Sequence, residues 1–338
     1  MNSEFHYYVT HLIAARAGVR GDDLRVLAYA SQYVDDNNRV YQVKRSDLTT
    51  LYQNSISQTL NILKPHKEKL EIYPLFHFIP GEPDAPSTKR SDGKTDVFNT
   101  TPNSLNANRV MDAALETQNF YRIGIATHAY VDTWAHQNFI GARKGFNAFP
   151  SFWARLVPNY GHADAGHKPD LPRLQWQDNR LVASSVDNTQ RFLDAAAHLF
   201  DKLWRFANKG ESAPAVTQMN RERQSLIEDL SASMGDAPRE DHLSKARLAR
   251  YQALASTAAY GAASIPDYNQ TAWFKHIVKT TTHSIRSGGR NTQQITRTYR
   301  PGYRASDWYQ FQEAVKRHAE CAKAILCENP AIAREYGA

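Results

Sequence analysis

The sequence is poor in features that mark disulfide-bonded, exported or membrane-spanning proteins. It has two cysteines, Cys321 and Cys327, and a C-x5-C pair near the end of the chain is weak evidence for a disulfide or a metal site. No apolar run approaches the ~20 residues of a membrane-spanning helix. The stretch MNSEFHYYVTHLIAARAG lacks the basic start and continuous apolar core of a signal peptide. We therefore expect a cytoplasmic protein without a transmembrane segment, with export by a signal-independent route left open.

Motifs of several large enzyme classes are also absent. The chain has no P-loop, no GxGxxG, no GxSxG, no internal repeat and no sustained heptad pattern. An adjacent His-Asp pair, which defines the helical HD phosphohydrolases, occurs nowhere. Any catalytic or binding residues must therefore belong to other sequence patterns.

Composition indicates a sizeable core and anionic partners. The chain has 338 residues, of which 41% are hydrophobic and 22% charged, with a formal charge of +7. This length is enough for one large domain or two. A basic balance favours phosphodiesters, nucleic acid or a lipid surface, including peripheral contact with a membrane, without choosing among them.

The most informative stretch is YRIGIATHAYVDTWAHQNFIG, residues 121–141. His128, Asp132 and His136 are four residues apart and share one face of a helix. Asp132 is the only charged residue between Arg122 and Arg143, so we expect it to be buried beside a cation. The outer histidine Cα atoms would lie ~12 Å apart, too far for one ion at bonds of ~2.0–2.1 Å. The spacing predicts two ions that share Asp132.

Further candidate ligands flank this helix. A helix predicted over residues 22–37 ends in Asp35 and Asp36, where acids oppose the helix dipole, so these two are either surface residues or held by a cation. His77 lies in an aromatic run, EIYPLFHF, read as a short strand or an extended buried segment. A Gly- and Pro-rich loop offers His162, the best single candidate there, with Asp164, His167 and Asp170; it either crosses the metal site or is a solvated loop.

The remaining pattern favours an all-α, multi-helix fold. Besides those above, helices are predicted over residues 3–17, 46–63, 103–121, 184–208, 215–234, 239–260, 271–285 and 306–327. Residues 80–103 read as a long loop at the mouth of the site. The stretch IRSGGRNTQQITRTYRPGYRAS interleaves arginine with tyrosine, which suits phosphate or base contacts or is simply an exposed basic loop. We expect residues 1–180 to form the metal-binding core and residues 181–338 a helical extension packed on it in one continuous domain.

The order of these residues resembles the ligands of zinc-dependent phospholipases C and the related fungal single-strand-specific nucleases. The stretches FHYYVTHLIAARAG, ASQYVDD, LFHFIPG and HAYVDTWAHQNF are also similar to an uncharacterised bacterial family related to these enzymes. The resemblance covers residues 5–176 and implies an all-α fold with a three-zinc cluster. It implies this set of metal ligands: His6, Asp35, His77, His128, Asp132, His136 and His162.

Two departures from that pattern affect the expected site. The secreted enzymes begin with a tryptophan whose amino group helps to bind zinc, whereas this chain starts MNSEF, so we expect that ligand to be missing. Their last zinc ligand lies four residues after a histidine, but here Gly166 follows His162 at that spacing. Asp164, His167 or Asp170 must replace it, or the centre holds two ions rather than three.

The predicted activity is zinc-dependent hydrolysis of phosphodiesters, of the phospholipase C type. Histidine and carboxylate ligands suit zinc, which activates water, and Asp35 or Asp36 is the candidate base. One alternative is a nuclease or nucleotidase on the same site, for which Tyr7, Tyr8, Tyr33 and Trp134 could stack on bases. The other is a non-catalytic metal-binding protein.

Overall fold

The fold is known from a computed structural model that describes residues 1–45, 50–59, 66–142, 144–149, 161–209, 212–235, 244–287 and 290–337. A π-helical turn, Glu4–Val9, runs into α1 (Thr10–Ala17). The other helices are α2 (Gly21–Asp36), α3 (His66–Leu70), α4 (Tyr73–Phe76), α5 (Leu105–Leu115), α6 (Phe120–Ala135), α7 (Asn188–Asn208), α8 (Ala213–Met234), α9 (Lys245–Ala255), α10 (Ala272–Ile277), α11 (Asp307–Leu326) and α12 (Pro330–Tyr336). The strands are β1 (Gln42–Lys44), β2 (Leu51–Gln53), β3 (Gln175–Gln177), β4 (Ser185–Asp187), β5 (Val278–Ser287) and β6 (Arg290–Tyr299).

Helix α6 forms the centre of the fold. It packs against α2, α5, α7 and α11, and every residue from Ile123 to Ala135 is buried. The side chain of Asn119 caps its first turn by accepting a hydrogen bond from the backbone N–H of Arg122. Asp132 is 1% exposed, so the prediction that this carboxylate is buried is confirmed.

Gly124 allows α6 to approach α2 closely. A Cβ atom at this position would come within 2.6 Å of the carbonyl oxygen of Leu27 and 2.7 Å of the Cβ of Ala30. Only glycine fits such a contact without moving a helix. One turn further along α6, the same approach brings His128 to the backbone of α2.

The all-α prediction is wrong, because the protein is mixed α/β, with 57% helix and 10% strand among the described residues. A four-stranded sheet has the order β2-β1-β6-β5, with β1 and β6 parallel and the other pairs antiparallel. A second sheet pairs β3 with β4. The main source of the error is residues 278–299, where β5 and β6 form a long hairpin that includes the first part of the arginine-tyrosine stretch. Threonine and tyrosine favour strands, and the Gly-Gly pair favours a tight turn.

Three local predictions also need correction. The helix predicted over residues 46–63 is not formed where the structure describes this range, since residues 51–53 are β2 and residues 54–59 are irregular. The aromatic run before His77 is the short helix α4 rather than a strand, because Pro74 lies in its first turn, where proline is tolerated. The helix predicted over residues 271–285 ends at Ile277, where β5 begins. Residues 46–49, 60–63 and 239–243 of predicted helices lie outside the described residues.

The hydrophobic core is continuous between the two halves of the chain. One cluster of buried side chains includes Phe5, Tyr130, Phe200, Tyr251 and Trp308. Helix α11, from the second half of the chain, packs on α4, α5 and α6. No helix in the described ranges is both long enough and apolar enough to span a bilayer.

Candidate metal centre

Candidate ligands from five distant parts of the chain come together around Asp132. They form three groups, and within each group the ligand atoms lie within 4.8 Å of one another. The groups are His77, His128 and Asp132; His6, Asp35 and His128; and His136, His162 and Asp170. All seven ligands predicted from the sequence belong to these groups, together with Asp170.

The first group has the dimensions of a tetrahedral site. Nε2 of His128 lies 3.1 Å from Nδ1 of His77 and 3.2 Å from Oδ2 of Asp132. Nδ1 of His77 lies 3.3 Å from the same carboxylate oxygen. Oδ1 of Asp35 lies further away, 3.7 Å from His128 and 3.8 Å from His77. Ligands bonded to one zinc ion at ~2.0–2.1 Å in tetrahedral geometry are separated by roughly 3.3–3.4 Å, so the spacings among His77, His128 and Asp132 suit one ion.

Backbone carbonyl groups orient the histidine rings. Nδ1 of His128 lies 2.8 Å from the carbonyl oxygen of Ser31 on α2, and Nε2 of His77 lies 2.9 Å from that of Ser57. A carbonyl oxygen only accepts, so each of these nitrogens carries the ring proton. The other nitrogen of each neutral ring then presents a lone pair to the centre. Two lone pairs at 3.1 Å repel each other unless a proton or a cation lies between them.

The third group, His136, His162 and Asp170, repeats this arrangement at the mouth of the site. Nδ1 of His136 bonds the carbonyl oxygen of His77 at 2.8 Å, and Nδ1 of His162 bonds that of Gly166 at 2.8 Å. Their Nε2 atoms lie 3.4 Å and 3.3 Å from the two oxygens of Asp170. Phe78 stacks on the His136 ring with centroids 4.4 Å apart, which fixes the ring plane. Asp170 is therefore the residue that joins His162, among the three left open by the sequence.

His6 lies deeper in the core. Its ring stacks on that of His128 with centroids 3.8 Å apart, and the side chain is fully buried. Nε2 lies 3.1 Å from Oδ1 of Asp132 without the geometry of a hydrogen bond, and both ring nitrogens lack a hydrogen-bonding partner among the described residues. His6 occupies a π-helical turn, a form that occurs often at functional sites. Buried and unpaired ring nitrogens are costly, so a cation near Asp132 would satisfy them.

The α-amino group of Met1 also lies in this cluster, although the sequence predicts no ligand from the start of the chain. It donates a hydrogen bond to Oδ1 of Asp132 and lies 3.3 Å from Oδ1 of Asp170. In its neutral form an amine can donate an electron pair to a metal ion, as the imidazole of histidine does. The first turn of the chain thus brings two nitrogens, from Met1 and His6, to the same carboxylate oxygen.

The charges at the centre are strongly coupled. Burial raises the pKa of the Asp132 carboxyl, but His136, the Met1 amine, His128 and His6 outweigh it and hold that pKa well below its usual range. Burial lowers the pKa of the Met1 amine, and Asp132 and Asp170 outweigh it and raise that pKa to about 10. Burial lowers the pKa of His6 to about 4, so its ring is neutral near pH 7. The centre therefore offers a carboxylate and a neutral imidazole to a cation.

The two neighbouring acids at the end of α2 have different environments. Asp35 faces the histidines and is 31% exposed. Asp36 accepts hydrogen bonds from the Tyr268 hydroxyl at 2.6 Å and from Nε2 of Gln32 at 3.3 Å, which ties it to the C-terminal half. The structure brings Asp35, and not Asp36, into the cluster. In the described part of the loop that holds His162, Asp164 accepts a hydrogen bond from the Phe149 N–H. His167, from the same loop, lines the cavity that leads to the cluster.

An open cavity of about 450 Å³ leads to this cluster. Asp35, His77, Asp132, His136, His162 and Asp170 line it, with Tyr73 and Phe78 as its aromatic walls. Residues 80–103 are not among the described residues that line it, so the prediction that this loop borders the mouth stays a prediction. Tyr7, Tyr33 and Trp134 are buried and Tyr8 is half-buried, and none of the four is among the described residues that line the cavity.

Comparison with known proteins identifies the family but no activity. Residues 1–326 match a family of unknown function, DUF6765, and the chain belongs to that family. No curated protein and no solved structure matches the chain.

Proposed function

For a member of a family whose function is unknown, we propose from the geometry of the cluster that this protein is a metal-dependent phosphodiester hydrolase with two or three zinc ions. The observation that carries the proposal is the set of ligand atoms of His77, His128 and Asp132, which lie 3.1 to 3.3 Å from one another. Asp35 lies beside this set on the cavity side, 3.7 and 3.8 Å from the two histidines. Neutral imidazole and carboxylate are the ligands that zinc prefers. The resemblance of the ligand order to zinc-dependent phospholipases C supports the same metal.

The arrangement of the residues supports catalysis over a structural role. A structural zinc site is usually one closed tetrahedral ion, whereas three ligand groups here share residues and border an open cavity. Zinc ions held there would lower the pKa of water towards ~7 and neutralise the phosphate oxygens as charge develops. This favours a hydrolase over the alternative of a non-catalytic metal-binding protein.

The residues around the cluster have different roles in this proposal. Asp132 joins the groups, because its Oδ2 faces His77 and His128 while its Oδ1 faces His6. Asp35 is the candidate base, since it lines the cavity and is partly exposed. The phosphoester would enter beside Phe78 and Tyr73. The four aromatic residues considered for base stacking are not among the described residues that line the cavity, so the nuclease alternative gains no support from them.

The test is the metal content and the hydrolytic activity of Asp132 variants. We expect the purified wild-type chain to contain zinc by elemental analysis and to hydrolyse bis(p-nitrophenyl) phosphate. Asp132→Ala removes the shared ligand, so zinc should fall by more than one ion per chain and hydrolysis should collapse. Asp132→Asn keeps the shape without the charge, so it should fold better than the alanine variant and also lack activity.

His198→Ala is the matched control, because this histidine is exposed on α7 and belongs to none of the three groups. It should keep both zinc and activity. Full zinc and full activity in Asp132→Ala would overturn the proposal, and so would a wild-type protein purified without chelator that contains no metal.

A further inference from the structure

The β5–β6 hairpin is a long arm that leaves the body of the protein. Its ten-residue strands pair with each other from Val278 and Tyr299 to Ser287 and Arg290. In the described part of the sheet, β1 pairs with β6 only through Lys44 and Thr298, at the base of the arm. Residues 282–284 and 292–295 are exposed at consecutive positions. Because neighbouring residues of a strand point to opposite faces, both faces of the arm are open to solvent.

The root of the arm is fixed by aromatic packing. Tyr299 is buried and stacks on Tyr303 with ring centroids 4.2 Å apart. It also contacts Tyr52 and Trp308 of the core. A two-stranded hairpin is only marginally stable alone in water, so this packing holds the arm in one direction relative to the body.

The charge imbalance of the chain lies in the arm, which has four basic residues (Lys279, Arg286, Arg290 and Arg297) and no acid, and in the residues that flank it. Residues 268–306 contain seven of the 41 lysines and arginines of the chain and none of its 34 acids. The other 34 basic residues are therefore balanced by 34 acidic residues outside this segment. The net charge of +7 is equal to the charge of this one segment. A concentrated positive charge on an exposed element is a footprint for a polyanion.

The length of the arm and the chemistry of its side chains indicate which polyanion it binds. Strands of ten residues at ~3.3 Å per residue extend ~33 Å, about one turn of B-DNA at ~34 Å. The major groove is ~12 Å wide and admits a two-stranded ribbon. Between residues 280 and 298 there are six threonines, two glutamines and one asparagine, which can hydrogen-bond to phosphates and base edges. We propose that the β5–β6 hairpin binds duplex DNA, as a surface separate from the metal centre.

An anionic membrane fits the hairpin less well. The turn region, SIRSGGRNT, has one aliphatic residue and no aromatic residue, whereas segments that dock on bilayers combine basic residues with apolar anchors. The one apolar side chain of the arm known to be exposed is Ile295, at 49%.

The experiment measures binding of the full chain to a fluorescent duplex of about 30 base pairs by anisotropy, between about 50 and 200 mM salt. The arm variant is K279Q/R286Q/R290Q. The matched control is R205Q/R221Q/K245Q, which removes three exposed charges from α7, α8 and α9. Circular dichroism checks that both variants are folded, and a gel checks that the duplex is intact.

We expect the wild type and the control to bind with a steep salt dependence. The arm variant should bind about tenfold or more weakly, and the slope of log K against log salt should flatten by about three, since each lost phosphate contact contributes ~0.9. Equal losses in both variants, or no binding by the wild type, would overturn the proposal. Binding to phosphatidylserine vesicles without binding to DNA would overturn it in favour of a lipid surface.

Discussion

Arg247 on α9 donates two hydrogen bonds to the carboxylate of Glu4, from Nε to Oε1 at 2.8 Å and from Nη2 to Oε2 at 3.0 Å. Both residues are buried, and the Tyr251 hydroxyl donates a third bond to Oε1 at 2.7 Å. Glu4 opens the π-helical turn that carries His6. The C-terminal half of the chain therefore holds the segment that brings His6 to Asp132.

Replacing this arginine should destabilise the fold and the centre together. Arg247→Met leaves Glu4 buried beside one remaining hydroxyl donor, and breaking a buried pair from one side costs about 3–5 kcal/mol. We expect a lower melting temperature and a lower zinc content. Lys245→Met, at an exposed position of the same helix, is the control and should change neither quantity.

A double variant of Glu4 and Arg247 separates the cost of a buried unpaired charge from the cost of lost packing. Glu4→Gln with Arg247→Met removes both charges, so its free energy of unfolding should recover part of the loss seen in Arg247→Met. If the single variant melts like the wild type, Glu4 does not depend on Arg247 and the coupling between the halves is wrong.

The neighbouring acids of α2 should respond differently to the same substitution. Asp35→Asn removes the candidate base and should lower hydrolysis of a phosphodiester by about 10²–10⁴-fold. Asp36→Asn keeps an acceptor for the Tyr268 hydroxyl and should change the rate far less. The measurement is the rate constant at saturating substrate with zinc content determined alongside. Equal losses in the two variants would contradict the assignment of Asp35.

Gly124 should be intolerant of any side chain. Gly124→Ala puts a Cβ atom against the Leu27 carbonyl oxygen, and overpacking of this kind costs about 1–3 kcal/mol. Because α2 would move away from α6, the bond from His128 to the Ser31 carbonyl should lengthen and zinc binding should weaken. Gly145→Ala is the control, since its Cβ would meet nothing within 4 Å. Chemical denaturation and zinc titration report the two effects, and a Gly124→Ala protein as stable as the control would refute the packing argument.

Removal of metal should lower the stability of the wild-type chain. An ion that binds the folded state and not the unfolded one stabilises by ~4 kcal/mol when present at 1,000 times its dissociation constant. We therefore expect the melting temperature to fall in EDTA and to recover when zinc, but not magnesium, is added back, because imidazole ligands suit zinc. Asp132→Ala should show a smaller shift. A wild-type melting temperature that does not change with EDTA would argue against ions in the cluster.

Helix periodicity identified the central helix and the ligands on it, because a four-residue spacing of His128, Asp132 and His136 has a direct geometric meaning. The helical pattern around it also located α2, α7, α8 and α11 closely. The grouping of His77, His162 and Asp35 with that helix was predicted only from the order of these residues along the chain. The fold brings their ligand atoms close to those of the helix. Whether they bind zinc stays a prediction.

The errors came from contacts that local pattern does not contain. The hairpin was missed because strand pairing between residues 278–287 and 290–299 is a relation between two segments, and each segment alone reads as polar. Asp36 was grouped with Asp35 because no sequence signal indicated that Tyr268, far along the chain, donates to it. The Met1 amine was not predicted because it belongs to the main chain, so the type of the first residue gives no sign of it.

The bonds from ring nitrogens to backbone carbonyls have a thermodynamic consequence for ion uptake. His77, His128, His136 and His162 are each held in one tautomer and one ring orientation by the fold itself. Little rotational entropy is left for such side chains to lose when a ligand arrives. Association of the first ion should then be limited by stripping of its hydration shell and by proton release, and the backbone should have nearly the same coordinates before and after loading.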